Sequence, residues 1–190
     1  MQKLLAFAAV LLLSMTPTLA QNKPAGEGVK ADREEKAPIS IKDFFGRYAG
    51  RGVTRSQGAL HYGLADRDLD VQIEAAPNNG FKLTWTTIRR KEKKSKRRTT
   101  QTVEFLATDK PNRWKAKGSG ELLSGKPTIW ARLEGPRLFV YVVATDPETG
   151  RFHASVYVRE LVQDGMQLRF RRVRDGAPAR AVVAYLRRIK

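Results

Sequence analysis

From residue 128 to residue 189 apolar and polar positions alternate in short runs, interrupted by compact turn signals at Glu134-Gly135-Pro136, 146–150, Asp164-Gly165 and Asp175-Gly176. Period-two alternation between such turns predicts a β-meander. Strands this short bury too little alone, so the meander needs more of the same sheet. The upstream pattern supplies it: Leu69, Val71 and Ile73 alternate with Asp68, Asp70, Gln72 and Glu74, Pro77-Asn78-Asn79-Gly80 marks a tight turn, and Phe81, Leu83 and Trp85 resume the alternation. One face of that hairpin is expected to be buried and the other wet. The expected architecture is all-β, a single antiparallel barrel of about eight to ten strands. A short helical turn opens it at Ser40-Ile41-Lys42-Asp43, which has the spacing of a capping box.

Two stretches leave the pattern open. Residues 109–126 are rich in Gly, Lys and Ser around Trp114 and Leu122-Leu123, and are expected to form a lid over the barrel mouth or a pair of irregular edge segments. Within them the spacing from Gly120 to Lys126 mimics a phosphate-binding loop, but Pro127 stands where a hydroxyl residue is needed and a strand follows instead of a helix. The hairpin at Asp164-Gly165 admits two registers. A two-residue turn at Asp164-Gly165 sets Tyr157 against Arg172 and Arg159 against Phe170; a three-residue loop starting at Gln163 sets Val162 against Met166 and Val158 against Phe170. The second joins apolar to apolar and is the expected one. It turns Ala154, Val156, Val158 and Val162 inward with Met166, Leu168 and Phe170, leaves His153 outside, and carries Arg172 inward. An inward Arg either packs on an aromatic ring, the commoner arrangement, or awaits an anionic ligand.

The chain begins with Met1-Gln2-Lys3, an apolar run over 4–13 and a small-residue stretch ending at Ala20. That is the layout of a secretory signal peptide, with cleavage expected near Ala20 and a periplasmic or secreted product. The apolar run falls short of the roughly 20 residues a spanning helix needs, so no transmembrane segment is expected. Residues 21–38 offer almost nothing to bury and form an expected leader, with the barrel over 39–190. Without cysteine there is no disulfide and no lipid anchor on an N-terminal Cys.

A formal charge of +17 favours anionic partners. For an exported chain these are lipopolysaccharide, phospholipid headgroups, acidic polysaccharide or an acidic protein, rather than nucleic acid. The charge concentrates in Arg89, Arg90, Lys91, Lys93, Lys94, Lys96, Arg97 and Arg98, with Glu92 the one acid among them, at the expected tip of a hairpin. Such a run is either a solvated, self-repelling loop or a finger for anionic surfaces, where each basic side chain contributes about 1 kcal/mol. No aromatics interleave it, so base stacking is not expected.

Phe44, Gly46 and Tyr48, after a short helical turn, resemble the opening motif of the lipocalin and calycin superfamily, with Tyr in the place of Trp. The second motif of that superfamily is not reproduced, because Thr145-Asp146 is followed by Pro147. The chain also resembles small exported proteins of Gram-negative bacteria. The superfamily resemblance implies a late Arg packed across Tyr48, for which the chain has several late Arg without a unique match, Arg172 among them, and a barrel that binds a ligand. The resulting expectation is a non-enzymatic binding protein for a small amphipathic or anionic ligand, using Tyr48, Trp85, Phe170 and Arg172. One alternative is an envelope-interaction protein working through the basic hairpin; another is an enzyme with an unidentified carboxylate or His site. No catalytic residue, cofactor or metal is nominated. His61 and His153 are the two histidines, Asp66, Asp68 and Asp70 line a strand face without the glycine and terminal Glu of a calcium loop, and no Gly-x-Ser-x-Gly turn occurs.

Overall fold

The computed structural model describes residues 37–56, 65–90 and 96–189, and for residues 55–56, 65–68, 89–90 and 96–97 the backbone alone. The expected signal peptide, the leader up to residue 36 and His61 lie outside the described residues. Ten strands are present: β1 (Gly46–Ser56), β2 (Ala65–Ala76), β3 (Gly80–Arg90), β4 (Lys96–Ala107), β5 (Arg113–Ala116), β6 (Thr128–Glu134), β7 (Arg137–Thr145), β8 (Phe152–Val162), β9 (Gly165–Arg174) and β10 (Ala177–Ile189). Each pairs antiparallel with its neighbours in the chain, and β10 returns to β1 to close a barrel. Closure demands close approach at the seam. A β-carbon on Gly50 would lie 2.0 Å from the carbonyl oxygen of Tyr185 on β10, so only glycine fits there.

The expected β2–β3 hairpin forms with Leu69, Val71 and Ile73 inward, and Asn78 and Asn79 both take positive φ in its turn. Asn tolerates that conformation at little cost, and two such residues give the turn the twist of the flanking strands. Strand β5 corrects the expectation for residues 109–126. It pairs with β4 and β6, turns Trp114 and Ala116 into the core and is a full member of the barrel wall; Leu122–Ser124 then makes one 3-10 turn.

One end of the barrel is closed by the 3-10 turn Ile41–Phe44. The Asp43 carboxylate accepts the Ser40 N–H at 2.7 Å, satisfying a donor that the turn leaves over. Phe44 is buried, and Tyr48 donates its hydroxyl to the Phe44 carbonyl at 3.0 Å. Arg188 on β10 lies over the Tyr48 ring and donates to the Tyr48 hydroxyl and the Asp43 carbonyl at 2.6 Å each. The late arginine that crosses Tyr48 is therefore Arg188 and not Arg172. Beside this clasp Phe81 stacks on Phe105 at 4.6 Å and meets the edge of Trp114, whose indole N–H reaches the Asn79 carbonyl. Leu83, Leu138, Val140, Met166 and Leu186 fill the remaining space of this half.

The β8–β9 hairpin takes neither expected register. Val162 pairs with Gly165, Tyr157 with Phe170 and Ser155 with Arg172, so Gln163 and Asp164 make the turn. Shifting a strand by one residue exchanges its faces, and here it turns Ser155, Tyr157, Arg159 and Leu161 inward, in place of Ala154, Val156, Val158 and Val162. His153 falls on the same inward row. Two contacts explain the choice. A β-carbon at Gly165 would lie 2.0 Å from the Leu186 carbonyl oxygen, so this glycine is needed for the fit of β9 on β10 and not for the turn. Outside, Val156 and Val158 pair with Tyr141 and Phe139, which form a ladder of parallel rings with Trp130. Arg132 lies over Phe139 and donates to the Tyr141 hydroxyl at 2.9 Å. The valines of β8 thus find apolar neighbours on the outer surface, which frees the inner surface for polar residues.

Candidate functional site

The half of the barrel away from the 3-10 turn holds a cavity of about 210 Å³. Its apolar wall is Leu69, Trp85, Leu168, Phe170 and Val182, and its polar groups are Thr87, Thr99, Gln101, Tyr157, Arg159, Arg172 and Arg180. None of the described residues lining it is a carboxylate. Strands β3 and β8 lie on opposite sides of the barrel, so the contact of Trp85 with Tyr157, ring centres 5.8 Å apart, crosses the lumen and separates the cavity from the filled half.

Arg159 is the chemical centre. The residue is 1% exposed, and among the described residues neither its Nε nor its Nη1 has a hydrogen-bond partner. Its guanidinium lies 5.4 Å from the centre of the Tyr157 ring and 6.0 Å from that of Trp85, so two π faces are its compensation. Burial pushes its pKa down to about 10, with Tyr157 acting weakly the other way. Arg159 therefore stays charged at neutral pH, and the displacement corresponds to roughly 3 kcal/mol against the folded state. Cations are rarely buried without a partner because losing water costs more than rings return.

The Tyr157 hydroxyl is the point where the charges converge. Burial raises its pKa, while Arg159, Arg172 and Arg180 pull it down and burial prevails. The phenol is neutral at physiological pH and offers a hydrogen to an acceptor. Arg172 donates from Nε to Ser155 Oγ at 3.0 Å and lies over Phe170. Arg159, Arg172 and Arg180 thus surround one phenol, and none of the described residues lining the cavity is acidic. Thr54, on the inward row of β1 and paired with Val182, adds a buried hydroxyl with no partner among the described residues.

The structure brings Trp85, Phe170 and Arg172 together on the wall of this cavity, whereas Tyr48 belongs to the closed end with Arg188. Tyr157, Arg159 and Arg180 are additional members, and the inverted register hid the first two. The first of the two registers considered, with Tyr157 and Arg159 on the face of Phe170 and Arg172, carried the sign that could have revealed them. The β3–β4 ladder runs out to Arg90 paired with Lys96, beyond Thr87 and Thr99 on the cavity wall. The basic stretch thus stands at the cavity's end of the barrel; Lys91, Lys93 and Lys94 lie outside the described residues, and Arg98 is exposed. Asp70 faces outward and holds Arg47 at 2.6 Å, and no group of three or more His, Asp or Glu suited to a metal occurs among the described residues. No described helix is long and apolar enough to cross a membrane. Comparison with known families and with curated proteins finds none that matches this chain.

Proposed function

We propose that this protein is an exported, non-enzymatic binding protein that holds a small amphipathic anion inside its barrel, in the manner of the lipocalin and calycin superfamily it resembles. Arg159 carries the reading: a fully buried guanidinium, whose Nε and Nη1 have no partner among the described residues, faces a cavity that none of the described residues lines with an acid. A ligand acid group would accept from Arg159 and from the Tyr157 hydroxyl, while its apolar body lies against Trp85, Phe170 and Val182. The energy lost when the cation is buried is recovered on binding, so affinity depends on the anion's charge more than on its area. The arrangement of Arg89, Arg90, Lys96, Arg97 and Arg98 along the strands beyond the cavity favours steering of anions toward it. Export follows in this reading from the N-terminal layout, with cleavage near Ala20 and a periplasmic or secreted site of action.

Calorimetric titration with two small acids, benzoate and heptanoate, and with the corresponding alcohols tests the reading. The parent protein should bind an acid and not its alcohol, and Arg159→Met should weaken acid binding by at least about tenfold, the scale of one lost charged hydrogen bond. Equal binding of acid and alcohol, or an unchanged affinity in the Met variant, would refute it.

A further inference from the structure

We infer that the anion held in the cavity is an aromatic carboxylate, an acid group on or next to a single planar ring, in preference to an alkyl acid. This rests on the anion-binding function proposed above and specifies its ligand class. Size is the first constraint. A cavity of about 150 Å³ accommodates a benzene ring. The 210 Å³ here add room for a carboxylate, and fall below the roughly 300 Å³ at which drug-sized sites begin.

The walls supply the second constraint. Trp85, Tyr157 and Phe170 form an arc of rings with centres 5.8 and 4.7 Å apart and planes inclined at 50° and 43°. Phe81 and Phe105 in the filled half stack at 15° and cover one another. The inclined rings of the arc leave faces and edges turned to the lumen, where a further ring makes offset or edge-to-face contacts. Each such contact favours an aromatic guest by roughly two- to tenfold beyond the area it buries. A rigid ring also surrenders fewer rotamers on binding than an alkyl chain of equal carbon count.

The acid group follows from Arg159 and Tyr157. A planar carboxylate presents two oxygens, so it can accept from the guanidinium and from the phenol at once, and its single charge answers Arg159, the one fully buried cation among the described residues. Because Arg159 lies against the faces of Tyr157 and Trp85, an acid that reaches it places its body along those rings.

Benzoate and heptanoate have the same number of carbons and the same charge, so titrating the full-length parent protein with each isolates the ring. Benzoate should bind at least about tenfold more tightly. Trp85→Leu should remove most of that preference by weakening benzoate while heptanoate changes by less than about twofold. If heptanoate binds as tightly as benzoate and both are lost in Arg159→Met, the aromatic preference is wrong and anion binding stands. If neither acid binds the parent, the anion-binding function falls and this inference with it.

Discussion

The two halves of the barrel interior are lined by the same strands and differ in how their side chains are satisfied. Near the 3-10 turn every large group has a partner: Phe81 has Phe105 and Trp114, and Tyr48 has Arg188 and the Phe44 carbonyl. Beyond the bridge of Trp85 and Tyr157 lie the buried side-chain polar atoms without partners among the described residues, Nε and Nη1 of Arg159 and the Thr54 hydroxyl. An arginine occurs in each. Arg188 spends its donors on the fold, whereas Arg159 keeps its own. Position along β8 does not account for that, since Leu161, two residues on, packs into the core. The closed half satisfies its own groups, and the open half leaves donors that no described residue answers.

That contrast can be broken most severely from the closed half. Phe81→Ala should cost about 3–5 kcal/mol, because it removes a ring packed on two others and leaves a void. Urea denaturation would check it, and a loss under about 1 kcal/mol would mean that the closed half is not the stabilising one. Arg159→Met should have the opposite sign. Replacing a buried unpaired cation by an apolar chain of similar length should stabilise the ligand-free protein by about 1–4 kcal/mol. For a barrel of this size each kcal/mol raises the melting temperature by roughly 2–4 °C, and a fall on calorimetry would contradict the asymmetry.

The smallest effect is with pH. His153, at the cavity's end of β8, has its pKa lowered by burial and by Arg172 and Arg174. Its folded-state value lies below the ordinary 6.5 of a free imidazole, so the unfolded chain binds more protons as pH falls through that value. Stability attributable to His153 is full above pH about 6.5 and declines on acidification. Melting temperatures at neutral pH and near pH 5 should differ less for His153→Gln than for the parent. An identical difference would remove His153 from the account.

The closed half was largely legible in the sequence. The alternation of Leu69, Val71, Ile73, Phe81 and Leu83 has a wet opposite face, and Ser40 with Asp43 sets the capping turn, so pattern and structure agree. The open half was legible in Trp85, Phe170 and Arg172 and misread in β8. Apolar pattern identifies the drier face of a strand, and on β8 the drier residues are outside, sheltered by Phe139 and Tyr141. The rule that pairs apolar with apolar then selects the wrong register, because a polar interior violates the assumption that inside means apolar. Strand β5 escaped notice for a simpler reason. Four residues with two inward side chains are too few for a period to show.

The clasp of Arg188 on Asp43 and Tyr48 also bears on how the chain folds. It joins residues 145 and 140 positions apart, across the seam where β1 meets β10. Contacts of such separation carry the full entropy of loop closure before they return any stability, and domains dominated by them fold over milliseconds to seconds. Until the seam forms, β1 and β10 are open edges carrying Val53 and Val183, which remain among the exposed apolar side chains of the finished barrel. The neighbouring hairpins can assemble locally, whereas the seam requires the most distant strands to meet. The clasp acts there as a latch, holding shut a cylinder whose sticky edges are dangerous only while it is open.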